Sequence, residues 1–209
     1  PSADNPNFTI LGDPTEACLN VLAEKAGINL NDNHTWAPRL KEIPFDSDRK
    51  RMTTVHKLES GSDGSQHISI TKGAPKEVME LCSDYYDNQG MIKSLTATER
   101  QAILAANDQF ARDGLRVLAV AYRPLDSEHI GEDKWGMQTL EDNMVFLGLV
   151  AMSDPPRQGV REAIEKCHRA SIRIIMVTGD YGLTALSIAK KIGIVQGDDA
   201  RVVSGLELA

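Results

Sequence analysis

The chain has 209 residues, 41% hydrophobic, 25% charged and 5% aromatic, a composition that excludes disordered, collagenous and fibrous classes and suffices for one large domain or two small ones. Its 23 Lys and Arg against 30 Asp and Glu leave a net charge of −7, which speaks against general nucleic-acid binding. The longest apolar run, Met144–Met152, is too short to cross a bilayer and no leader opens the sequence, so a soluble chain is expected, and Cys18, Cys82 and Cys167 fit reduced cytosolic thiols.

In chain order, Gly12-Asp13-Pro14-Thr15-Glu16 predicts a helix start, with Asp13 as cap, Pro14 in the first turn and Glu16 three residues after the cap. Cys18, Val21 and Leu22 supply its apolar face, and Gly27 ends it. Residues 40–45 and 52–58 read as strands around the polar turn Asp46-Ser47-Asp48-Arg49, residues 60–65 as a surface loop, and residues 67–71 as a further strand by alternation. A short helix is expected after Pro75 with Val78, Met79 and Cys82 inward. A longer one is expected from the Thr96 cap to Gly114, then an apolar strand over 115–122. This is the pattern of an antiparallel sheet with flanking helices. The polar connection 123–143 carries no readable pattern.

From there the grammar changes. Strand 145–152, a helix marked by Val160, Ala163, Ile164 and Cys167, strand 172–177 and helix 183–192 closed by Gly193 predict a doubly wound parallel sheet. A domain boundary is placed near residue 150. The first part, residues 1–153, holds 15 basic and 23 acidic side chains, so any polyanion site there must be a small local cluster of cations.

Thr178-Gly179-Asp180 falls between a predicted strand and a helix, where open α/β sheets bind ligands. It is either a phosphate-approaching loop, with Thr and amide donors and an Asp near magnesium, or a plain turn capped by Asp180. Asp154-Pro155-Pro156-Arg157 opens at the same edge as a hinge or a catalytic element. In Lys72-Gly73-Ala74-Pro75 the flexible Gly73 lets the backbone turn, and Lys72 either projects toward a phosphate or an adenine, or is a solvated link residue. Phe45, beside the basic run Arg49-Lys50-Arg51, is either core or a surface for base stacking. Arg116 is either the outward residue of a pleat or an anion contact. No P-loop, no dinucleotide fingerprint and no metal-ligand spacing of histidines is present, so no metal site is expected.

Taken in order, Gly12-Asp13-Pro14-Thr15-Glu16, Pro44-Phe45-Asp46-Ser47-Asp48-Arg49-Lys50-Arg51-Met52, Lys72-Gly73-Ala74-Pro75, Leu115-Arg116-Val117-Leu118-Ala119, Asp154-Pro155-Pro156-Arg157 and Thr178-Gly179-Asp180 closely resemble a P-type cation-transporting ATPase, nearest to the type II calcium and sodium/potassium group. The resemblance covers residues 8–195. It implies an α+β nucleotide-binding (N) domain over 1–150, lacking its first strands, followed over 151–209 by part of an α/β haloacid-dehalogenase-like phosphorylation (P) domain.

It further implies ATP and Mg2+ as ligands. Phe45 stacks on adenine, Glu16 hydrogen-bonds the base, Lys72 and Gly73 line the pocket, and Lys50 and Arg116 meet the phosphates. Asp154, Thr178, Gly179 and Asp180 support the γ-phosphate site. Lys76 stands where the family commonly has Glu, and Tyr181 where it often has Asn or His. The phosphorylated Asp of an Asp-Lys-Thr-Gly-Thr motif and the transmembrane helices are not in this sequence. The expectation is therefore a fragment from the cytoplasmic side of a membrane pump that binds nucleotide without turnover, its partners being ATP and the rest of the pump. The alternatives are a haloacid-dehalogenase-type phosphohydrolase with a large cap, or a non-catalytic module that binds a nucleotide or a partner.

Overall fold

The structure, a computed structural model, describes residues 14–28, 37–58, 67–125, 135–153, 156–197, 200–203 and 207. Helix α1 (Pro14–Lys25) leads to β1 (Arg39–Asp46), β2 (Arg51–Lys57) and β3 (His67–Gly73). Helix α2 (Pro75–Met79), β4 (Cys82–Tyr86), β5 (Ile92–Ser94), α3 (Ala97–Arg112) and β6 (Arg116–Leu125) follow. The chain closes with α4 (Met137–Leu140), β7 (Met144–Met152), α5 (Val160–Arg169) and α6 (Gly182–Ile192). None of these helices is long and apolar enough to cross a membrane.

The strands form one seven-stranded sheet in the order β1-β2-β3-β6-β7-β4-β5. All neighbours are antiparallel except β4 and β7, which run parallel with Tyr85 opposite Phe146. Small side chains on β6 let the helices close on the sheet: Ala119 and Ala121 are fully buried against Val78, Met79, Cys82, Met144 and Phe146, with Ile103 and Leu104 of α3 packed over them. A second apolar cluster, Val55, Leu125, Trp135 and Leu140, lies where residues 135–140 cross the same sheet. Pro124 is tolerated in β6 because the pairing with β7 has already ended at Tyr122.

The predicted helix starts and stops hold where local chemistry writes them. Gly27, Gly114 and Gly193 close α1, α3 and α6 in the left-handed region, the usual backbone beyond a helix C-terminus. The expected cap Asp13 and the expected loop 60–65 lie outside the described residues. Three expectations are corrected. Cys82 begins β4 rather than ending a helix, although it faces the expected core. Strand 145–152 joins the antiparallel sheet as β7 instead of opening a second, parallel one.

Residues 172–177 form no strand at all. Ile175 is 74% exposed and Val177 92%, since no described segment lies alongside to pair their backbone or cover their side chains. The two predicted helices around that segment do form, as α5 and α6.

Candidate functional site

One end of the sheet gathers most of the singled-out residues, and the register explains why. Asp46 pairs with Arg51, Arg51 with Gly73, and Gly73 with Ala119, so the end of β1, the start of β2, the end of β3 and the first residues of β6 lie side by side. The turn between β1 and β2 is built by Asp46. Its Oδ1 accepts the N–H groups of Asp48 (3.0 Å) and Arg49 (2.8 Å), and its carbonyl accepts that of Lys50 (2.7 Å). The Arg49 amide, more than the nearby charges, holds the Asp46 carboxyl below its ordinary value. Lys50 takes a positive φ of 52° to close the turn. Phe45, immediately before it, is 64% exposed.

Across the next strand pair, the Lys50 carbonyl accepts the Ala74 N–H at 2.9 Å, which presses the turn against Gly73. Gly73 is a strand residue, and what it provides is room: a β-carbon there would stand 2.5 Å from the Arg51 β-carbon and from the Lys50 oxygen. The expected flexible turn at Gly73 is thus corrected to a close backbone approach.

Each of the three expected site cations already holds a carboxylate. Lys72 donates to both Glu16 oxygens, at 2.6 and 2.5 Å. Lys50 pairs with Glu77 of α2 at 2.9 Å. Arg116 donates to Asp180 through Nη2 (2.6 Å) and Nε (3.2 Å), and reaches the Thr15 hydroxyl at 3.5 Å. The first turn of α1 therefore bridges the two arms, with Thr15 at Arg116 and Glu16 at Lys72. These pairs are partly exposed, so each contributes about 0–1 kcal/mol and yields readily to a stronger anion.

Thr178 and Asp180 bond each other: the Thr178 hydroxyl donates to Asp180 Oδ2 and accepts the Asp180 N–H, both at 3.1 Å. Asp180 does not cap α6, whose N-cap residue is Tyr181, with no side-chain capping bond. A β-carbon on Gly179 would meet nothing within 4 Å among the described residues. Asp154 lies outside the described residues. Among the described residues no group of three or more His, Cys, Asp or Glu is placed to hold a metal ion. The carboxylates of Glu16 and Asp180 are both engaged by cations, so these residues do not build a magnesium site by themselves.

Two features escaped the sequence reading. Glu141, its side chain 2% exposed, accepts Arg49 Nη1 at 2.7 and 2.9 Å, Arg51 Nε at 2.8 Å and the Thr53 hydroxyl at 2.7 Å. Burial pushes its carboxyl up, and the bonds from Thr53, Arg49 and Arg51 together outweigh that and leave it below the ordinary glutamate range. The basic run 49–51 was the available signal, because arginines beside a buried strand start need a counter-charge. The second feature joins the two departures from the family pattern. The Lys76 ammonium stands 4.8 Å from the centre of the Tyr181 ring, and the Tyr181 hydroxyl donates to Asp108 at 2.9 Å. Interaction with Tyr181, helped by the Asp108 charge, raises the Lys76 ammonium above its ordinary value.

Comparison with known proteins agrees with the family resemblance. The family model described as P-type ATPase, cytoplasmic domain N, matches residues 1–159. Calcium-transporting ATPase 1 of Bacillus cereus is 38% identical over 202 residues, which take in 97% of this chain and 21% of the relative. Probable cation-transporting ATPase F of Mycobacterium bovis is 34% identical over 209 residues, 99% of this chain and 22% of that protein. The sodium/potassium exporting P-type ATPase cta3 of Schizosaccharomyces pombe is 34% identical over 193 residues, 90% and 17% respectively. The chain spans about a fifth of the length of these curated relatives. With well over half of its residues under that family model, the chain belongs to the family of P-type ATPase cytoplasmic N domains.

Proposed function

We propose that this chain binds ATP as the nucleotide-binding part of an ATP-driven cation pump, on the cytoplasmic side of its membrane. The observation that carries the reading is an exposed Phe45 on a tightly hydrogen-bonded turn, at the same sheet end as Lys50, Lys72 and Arg116. An aromatic face for the base beside a few cations for the phosphates is what a nucleotide requires inside an acidic chain. In this reading Phe45 stacks on adenine, Glu16 hydrogen-bonds it, and Lys72 lines the pocket where Gly73 allows close backbone contact. Lys50 and Arg116 exchange Glu77 and Asp180 for phosphate oxygens.

Thr178, Gly179 and Asp180, with Asp154, then support the γ-phosphate, and magnesium arrives chelated by the nucleotide. Phosphoryl transfer needs positioning and charge neutralisation, which these residues supply; the accepting Asp belongs to the parent pump. The names of the relatives favour calcium or sodium as the transported ion.

With the rest of the phosphate site belonging to the parent pump, affinity is expected to be weak, a Kd of roughly 0.1 to several mM, or about −3 to −5.5 kcal/mol. Stacking on an aromatic is worth about 1–3 kcal/mol per base, so Phe45→Ala is expected to weaken ATP binding at least about fivefold. An NMR-monitored ATP titration of both proteins reads this, with shifts around Phe45 and Lys72 and no phosphate release. Equal titration curves for the two would reject the pocket.

A further inference from the structure

Glu141 is out of reach of solvent, yet it is held by four hydrogen bonds from three residues, two of which flank Lys50 in the turn beside Phe45. Its platform is firmly seated. The neighbouring Leu140 is fully buried and its carbonyl accepts the Ser69 hydroxyl of β3 at 2.9 Å. Arg123 of β6 donates to the carbonyls of Thr139 and Asp142, each at 2.8 Å. From that platform the carboxylate grips Arg49, whose other nitrogen Nη2 donates to the Pro44 carbonyl at 3.1 Å, directly before Phe45. It also grips Arg51, whose Nη1 reaches the Arg49 carbonyl at 3.4 Å. Behind it the Thr53 hydroxyl is tied to that of Thr71 at 2.7 Å. The turn is thus fastened at three points along its length: before Phe45, at Arg49 and at Arg51.

A buried ion pair is seldom needed for stability, since apolar side chains of similar volume generally serve as well. What a carboxylate with two arginines fixes, and a leucine would not, is the direction of an exposed turn. Resting on the nucleotide reading, we infer that Glu141 is a positioning residue of the ATP site. Through Arg49 and Arg51 it sets the orientation of the 45–50 turn, so that Phe45 and Lys50 are presented together.

The test is a double-mutant cycle with an exchange measurement on the whole chain. Glu141→Gln is expected to weaken ATP binding at least about fivefold, but by a clearly smaller factor when Phe45 is already alanine, because the turn then has only Lys50 left to present. The amides of Lys50 and Ala74 are expected to exchange at least about tenfold faster, while those of Ala119 and Ala121 keep their protection. If Glu141→Gln does not fold, Arg49→Gln reads the same turn, since Arg49 stands at the partly exposed side of the pair. Unchanged exchange at Lys50 and Ala74 in a folded variant overturns the inference. So does a loss of affinity that adds in full to that of Phe45→Ala. If the unaltered chain shows no shift with ATP, the nucleotide reading itself fails, and the exchange arm still decides whether the carboxylate holds the turn.

Discussion

At Gly73 a single hydrogen atom in place of a β-carbon decides how the site closes, because the Arg51 β-carbon and the Lys50 oxygen both occupy the space a side chain would take. Gly73→Ala is therefore expected to cost about 1–3 kcal/mol by overpacking, read as a fall in Tm of several degrees, and to weaken ATP binding as the turn moves outward. A stability equal to that of the unaltered chain would show that the turn gives way freely. The sequence marked Gly73 as special but misread the reason. A glycine two residues before Pro75 looks like a turn, and only strand pairing shows that it lies under another backbone. Glu141 illustrates the opposite failure. It sits in a connection with no hydrophobic period, and its partners Arg49 and Arg51 are about 90 residues away in the chain. Glu16 and Lys72, both singled out, were each assigned to the nucleotide and not to one another; their contact joins residues 56 apart.

Elements with strong local signals formed where they were expected, and those whose fate depends on neighbours did not. The Thr96 start and Gly114 stop of α3, and the Gly193 stop of α6, are written in a few adjacent residues. Strands β4 and β5 were missed because Cys82–Tyr86 and Ile92–Ser94 are short, and they become strands only as β5 pairs with β4 and β4 with β7. Residues 172–177 are the converse: an apolar run with strand propensity stays unpaired where no described segment lies beside it. Helix α6 is nonetheless fastened to the connection between α3 and β6. Thr184, buried, donates its hydroxyl to the Leu115 carbonyl at 3.0 Å, and Lys191 donates to the Asp113 carbonyl. Thr184→Val leaves that carbonyl without its donor and is expected to lower stability by about 1 kcal/mol, seen as a lower denaturant midpoint at unchanged m. No change in midpoint would mean that the bond adds nothing beyond packing.

Over the whole molecule, a net charge of −7 repels a nucleotide while three local cations attract it. At about 0.1 M salt charges are screened beyond roughly 10 Å, so contacts at the site outlast the field of the distant acids. Raising ionic strength from about 0.05 to 0.5 M is expected to weaken ATP binding severalfold, because the close cation contacts carry the affinity. A calorimetric affinity that rises with salt would mean that overall repulsion governs and that the cations do not touch the phosphates. What the sequence determined alone was whatever adjacent residues encode: the helix ends, the alternating strands, the polar turn and the ordered motifs that carry the family. What the tertiary structure decided was which strands share a sheet, that β7 lies antiparallel to β6 and parallel to β4, and that Glu141 and Glu16 reach their partners. Those are contacts between distant residues, and hydrogen-bond pairing and burial select them only once the whole chain has folded.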